Sequence, residues 1–192
     1  MKNVIIVGAS GNIAKHVIDI LSTNDDLNLT LFLRNKNRLS NKNVSKYKIV
    51  EGNVLNYEQV REAIKGHDIV YVNLAGDLET MAKNIVKAMK ETGVKRIIAI
   101  SSIGIYETQL RSVLIPYRKL ADVIESSGLD YTILRPTWFT NTDEVDYELT
   151  KKGEPEKGSV ISQKSLATFL TTIIESPEKH IHENLGINKP GY

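Results

Sequence analysis

Near the amino end, the run Gly8-Ala9-Ser10-Gly11-Asn12-Ile13-Ala14 combines residue types suited to cradling a phosphate. Gly8 can take the positive φ of a tight turn, and Gly11 lets the backbone approach an anion closely. A helix opening at about Asn12 adds unpaired N–H groups and a positive dipole end. The third glycine of a G-x-x-G-x-x-G pattern is replaced by Ala14, the usual small substitute where helix packs on strand. The run follows an apolar strand and starts a helix, the context that distinguishes a dinucleotide-binding turn from an ordinary one. Gly8, Ser10, Gly11, Asn12 and Ile13 are therefore expected to hold a pyrophosphate.

A second signal sits one crossover later. Dinucleotide sites selective for NAD place an acid near the end of the second strand, on the ribose 2′-OH. Here that position is Arg34, followed by Lys36 and Arg38, whereas Asp25 and Asp26 precede the strand. A guanidinium can pair bidentately with a 2′-phosphate and stack on adenine. The expected cofactor is NADP(H) in preference to NAD(H).

The elements that must position these residues follow from periodicity. Short apolar, β-branched runs at 3–7, 29–34, 47–51, 69–73, 96–100 and 131–135 read as strands covered on both faces. Helical patterns lie between them at 12–21, 57–65, 78–92 and 113–126. In the third, Met81, Ile85, Val86 and Met89 fall at helical spacing, and Gly93 follows as a stop. This alternation predicts an α/β fold: a Rossmann-type, doubly wound parallel sheet in the order 3-2-1-4-5-6 with helices on both faces. Residues 136–160 are polar and read as loop, with one short strand near 147–150. A helix at 163–175 and a last strand at 184–188 complete a small C-terminal cap. The expectation is one domain, 1–192, with 136–192 as a substrate-side extension.

Composition narrows the function classes. A net charge of +2 is too small to suggest a nucleic-acid or membrane-surface partner. The absence of cysteine removes thiol nucleophiles and thiolate metal sites, and suits a reducing cytoplasm. The run Val4-Ile5-Ile6-Val7 is too short for a signal-peptide core, and no apolar run approaches the roughly 20 residues of a membrane span. Cytoplasmic location is expected. His180 and His182 lie in a charged stretch and read as solvated, so no metal is expected.

The chain resembles the short-chain dehydrogenase/reductase superfamily, in its atypical NmrA-like and biliverdin reductase B-like NAD(P)-binding branch. The resemblance spans nearly the whole length. It rests on Gly8–Ala14, Gly52-Asn53-Val54, Asn73-Leu74-Ala75-Gly76, Ser101-Ser102 and the distinctive run Ser127-Gly128-Leu129-Asp130-Tyr131-Thr132-Ile133-Leu134-Arg135-Pro136. It implies that Asn53 and Val54 lie at the adenine, where the family more often has Asp-Val. It further places Ala75 and Gly76 beside the ribose and pyrophosphate, Ser101 at the cofactor, and Pro136 and Thr137 at the nicotinamide carboxamide.

Reductases of that superfamily commonly pair Ser with Tyr-x-x-x-Lys, in which lysine lowers the pKa of the tyrosine acid. No Tyr-x-x-x-Lys occurs at the family's columns: the lysine column falls on Tyr117 and the tyrosine column on Val113, and the spacing recurs only at Tyr147 and Lys151, in the later polar stretch. Lys119 lies about 200° around a helix from Tyr117, so the two cannot readily face one substrate. The remaining catalytic candidates are Ser102, Tyr106 and Tyr117. Trp138 and Phe139 could wall a substrate pocket, and the acidic run 143–146 could select a cationic substrate.

The leading expectation is NADPH-dependent reduction of a small carbonyl, quinone or flavin-like acceptor. A flavin-type acceptor needs little help from a protein acid, because solvent can supply the proton. The alternative is a non-catalytic NADP(H)-sensing regulator of NmrA type, acting on an unidentified protein partner. A third reading, a sugar-nucleotide epimerase or dehydratase, lacks both the large substrate domain and the tyrosine–lysine pair. Residues 106–116 could form a lid, a homodimer surface or merely the start of a helix.

Overall fold

The computed structural model describes residues 1–40 and 44–191. Its first half alternates strictly: β1 (Lys2–Val7), α1 (Asn12–Leu21), β2 (Leu27–Leu33), β3 (Lys48–Glu51), α2 (Tyr57–Ile64), β4 (Ile69–Val72) and α3 (Leu78–Thr92). The second half runs β5 (Arg96–Ile100), α4 (Ile115–Glu125), β6 (Asp130–Pro136), β7 (Trp138–Thr140), β8 (Glu148–Lys151), β9 (Val160–Ser162), α5 (Gln163–Glu175) and β10 (Glu183–Asn188). The expected order 3-2-1-4-5-6 is present and extended, as β3-β2-β1-β4-β5-β6-β10-β8. β1 through β6 and β10 pair in parallel, and β8 closes the edge antiparallel to β10.

The sheet separates two apolar layers because successive residues of a strand point to opposite faces. Ile5 and Val7 of β1 pack with the buried sides of α2, α3 and α4, while Val4 and Ile6 pack with α1 and α5. That two-sided burial is why the central strands read as unbroken apolar runs rather than alternating ones. On α1 the buried residues Ile13, Ala14, Val17, Ile18 and Leu21 form one stripe at helical spacing. Gly93, at φ +78, ends α3 in a left-handed cap.

The strands expected near 147–150 and 184–188 are present as β8 and β10, and both join the main sheet, with Leu185 opposite Leu134 and Lys151. Residues 138–140 are a strand too, paired in parallel with β9 as a separate ribbon beyond the end of β6. The polar composition of 136–160 conceals this ribbon, because a three-residue strand held by a distant partner leaves no periodic signal. Among the described residues no helix is long and apolar enough to cross a membrane.

Candidate functional site

The carboxyl ends of β1, β2, β4, β5 and β6 converge on one edge of the sheet, where ligands of open parallel folds bind. At the end of β1 the chain turns through Gly8, whose φ is +90. A Cβ there would stand 2.1 Å from the carbonyl oxygen of Asn73, so only glycine fits between β1 and the loop after β4. Gly11 has an ordinary φ of −71, and the space its missing Cβ leaves is bounded by the Asn73 side chain, 2.3 Å away. The need for glycine is thus conformational at the first position and purely spatial at the second.

α1, like α4, starts without a side-chain cap. Asn56, Asp77 and Ser162 each cap their helices by accepting a backbone N–H, at 3.2, 3.2 and 2.9 Å respectively. No side chain caps α1 at Gly11. Its first-turn amides, including those of Asn12 and Ile13, have no intrahelical acceptor, and the dipole end is open to an anion. The turn fits a pyrophosphate.

Two clefts meet at this turn and share Gly11, Asn73, Leu74 and Ala75. The first, of about 200 Å³, is lined by Gly8, Ser10, Phe32, Arg34, Arg38, Asn53 and Val54 among others. Among the described residues, Arg34 and Arg38 are its charged lining residues and no carboxylate lines it. Lys36 does not line it, and its Nζ lies 3.9 Å from the Glu51 carboxylate. The Phe32 ring lies 2.7 Å from where a Gly52 Cβ would stand, so a glycine there keeps a flat floor beside Asn53.

The second cleft, of about 470 Å³, runs on past Asn12 and Ile13 to Ser101, Ser102, Tyr117, Pro136 and Thr137. Ser101 Oγ donates to the Tyr117 carbonyl at 3.1 Å, and Ser102 Oγ donates to the Ile103 carbonyl at 3.1 Å. Ile103 N–H donates to the Pro136 carbonyl at 3.1 Å, which ties the β5 loop to the end of β6. Thr137 is 5% exposed, and its hydroxyl has no hydrogen-bond partner among the described residues. A buried hydroxyl left unpaired is costly, and a ligand amide in this cleft would satisfy it.

Residues 8–177 match the model of a family described as NAD(P)H-binding. The chain belongs to that family. A Rossmann-fold NAD(P)-binding family protein from Shigella flexneri is 47% identical and superposes with a TM-score of 0.93, covering 100% of this chain and 95% of that one. A short-chain dehydrogenase/reductase from Veillonella parvula, solved in complex with NADP, is 25% identical with a TM-score of 0.85, covering 99% and 95%. An isoflavone reductase homolog, A622 of Nicotiana tabacum, is 23% identical over 97% of this chain and 68% of its own length.

Within this NAD(P)H-binding fold the sequence candidates separate. Gly8, Ser10, Gly11, Arg34, Asn53, Val54 and Ala75 line the first cleft, and Asn12, Ile13, Ser101, Pro136 and Thr137 the second. Gly76 lines neither; its φ of +111 marks it as the turn leading into α3. Of the catalytic candidates, Ser102 and Tyr117 face the second cleft.

Tyr106 does not, which corrects its reading as a cleft acid. Its hydroxyl accepts from Asn184 Nδ2 at 2.8 Å and lies 3.4 Å from Glu125, and its ring sits under Arg118, Arg135 and Lys152. Burial, and then Glu125, push its pKa above the usual phenol value. A phenol so held is a structural member of a polar cluster. Lys119 also leaves the site: it pairs with Glu79 at 2.5 Å, and hydrogen bonds from Lys119 and Lys83 draw the Glu79 carboxyl down to about 2.

The acidic run lines neither cleft, and its side chains are paired, Asp143 with Lys164 at 2.5 Å and Glu144 with Lys189 at 2.9 Å. Among the described residues no group of three or more His, Asp or Glu side chains could hold a metal ion. Sequence reasoning missed Phe32, Met81, Arg111, Leu114 and Gln163 as lining residues. None carries a motif, and each reaches a cleft only through its place in the fold.

Proposed function

We propose that this chain is an NADPH-dependent oxidoreductase reducing a small carbonyl, quinone or flavin-like acceptor. The observation that carries this reading is the pair of adjoining clefts, with two guanidinium groups lining the first and Thr137, Ser102 and Tyr117 lining the second. The Veillonella parvula relative, solved with NADP, supports the choice of cofactor. When bound, the dinucleotide would supply a hydride. Gly8 and Gly11 would leave room for its pyrophosphate, and Arg34 with Arg38 would pair with a 2′-phosphate. Thr137 Oγ1 would hold the carboxamide, and Tyr117 would give a proton to an acceptor oxygen.

Arg34→Ala should weaken NADPH binding about 10- to 100-fold, the worth of a charge-assisted hydrogen-bond pair. NADH binding should stay unchanged. Calorimetry with both coenzymes reads this directly, and an equal loss for both would overturn 2′-phosphate recognition.

The acceptor side has its own test. Tyr117→Phe should lower kcat/KM for an aldehyde about 100-fold, as loss of a proton donor does, while quinone turnover changes by less than about threefold. Ser102→Ala should lower aldehyde turnover by a smaller factor. No turnover with aldehyde, quinone or flavin, together with tight NADPH binding, would sink the reductase reading. The sensing alternative is favoured by Lys119 being held outside the cleft, and it requires unequal affinities for NADP⁺ and NADPH.

A further inference from the structure

We infer that the inner cleft takes a flat, aromatic acceptor bearing an anionic group, with Trp138 as its stacking face and Arg111 as its anion partner. This deepens the reductase reading and rests on the same cleft, but its evidence lies in parts of the wall that cofactor binding does not use.

Charge comes first. The lining of the inner cleft contains no carboxylate, and Arg111 is its only charged residue among those described. Arg111 is exposed and enters no ion pair among the described residues. The other arginines of this half are engaged: Arg96 with Thr132 at 2.7 Å, Arg118 with Asp122 at 2.8 Å, and Arg135 with Glu156. An open guanidinium at the rim of a carboxylate-free cleft favours an anion and disfavours a cation. A cationic substrate, considered from the acidic run, therefore has no partner here.

Shape comes second. Val113, Trp138 and Phe139 are 66%, 71% and 47% exposed, and all three line this cleft. Large apolar side chains left bare and gathered in one concave place mark a binding surface rather than incidental exposure. Trp138 stands on β7, whose pairing with β9 fixes the backbone beneath it, Trp138 opposite Val160. A ring platform on a held strand stacks flat aromatic ligands at little entropic cost. Ile100, Ile103, Leu114 and Pro136 add apolar wall beside the neutral polar side chains of Ser102, Thr137 and Gln163, and the cleft's volume of about 470 Å³ lies in the range of small-molecule sites.

The test uses two redox-inert, nearly isosteric probes, naphthalene-2-sulfonate and neutral naphthalene-2-sulfonamide, titrated by calorimetry into the chain alone and with saturating NADP⁺. The sulfonate should bind at least about tenfold more tightly. Arg111→Gln should bring the ratio near one, and Arg111→Lys should restore part of it. Trp138→Ala should weaken both probes equally, with Trp138→Phe retaining most of the affinity. Equal affinity of the two probes for the unaltered chain would overturn the proposal. So would an Arg111→Gln variant that keeps the discrimination, or one that loses NADP⁺ binding while keeping it. Because the probes accept no hydride, a chain without reductase activity still gives a decisive answer.

Discussion

Gly8→Ala is expected to abolish measurable NADPH binding and to destabilise the fold by about 3 kcal/mol or more, from a strained backbone plus a clash. The φ of +90 is unfavourable for any L side chain, and the added Cβ would sit 2.1 Å from the Asn73 carbonyl oxygen, an atom of the backbone that has nowhere to go. Gly66→Ala separates the two contributions. Gly66 has a similar φ of +79, but its Cβ would meet nothing within 4 Å, so that variant should lose only about 1 kcal/mol. Urea denaturation of the two variants side by side reads the difference.

Gly11→Ala separates folding from binding. Its φ is ordinary and the obstructing atom belongs to the Asn73 side chain, which can swing aside. The fold should survive, while the displaced amide and the new methyl group crowd the anion site at the head of α1. NADPH affinity should fall at least about 100-fold, with a stability change below about 1.5 kcal/mol. Full NADPH affinity in Gly11→Ala would show that the turn is structural only.

The second large effect is expected at Arg135, which is 1% exposed. Its Nε donates to Asn184 Oδ1 at 2.9 Å, and its terminal nitrogen pairs with Glu156, whose other oxygen accepts from Gly104 N–H at 2.7 Å. Asn184 in turn donates to Tyr106 at 2.8 Å and to Glu125 at 2.9 Å, and Lys152 binds Glu125 at 2.7 Å. One guanidinium therefore joins β6, β10 and the 152–158 loop to the loop that carries Ser102. Arg135→Met should cost about 3–5 kcal/mol, because it strands a partly buried carboxylate and an amide.

The double variant Arg135→Met/Glu156→Leu should be more stable than Arg135→Met alone, since no unpaired charge remains. Chemical denaturation of both variants and of Glu156→Leu completes the cycle. If the double variant loses as much as the two single losses added together, the pair is not coupled and the cluster is not what joins these elements.

The run containing Arg135 is distinctive as sequence, but the task of its guanidinium is not legible there. Spacing along the strand does not say whether this arginine serves the cleft or the interior; in the fold it is buried. Tyr106 misleads for a related reason. Four residues after Ser102 it could reach the same mouth, yet the loop path takes it beneath the 152–158 segment and into the Arg135 cluster. Tyr117 and Lys119 are separated correctly by helical geometry, which depends only on spacing.

Whatever depends on near neighbours along the chain was decided by the residues themselves. Periodicity set the strands and helices, β-strand chirality set the order 3-2-1-4-5-6, and the Gly8–Gly11 spacing set where an anion could sit. Tertiary structure alone decided which side chains share a wall, because that depends on loop paths and distant pairings: β7 against β9, Arg111 and Trp138 in one cleft, Arg135 turned inward. Local geometry repeats with a fixed period and can be read forward, whereas a contact between distant segments has no period to read.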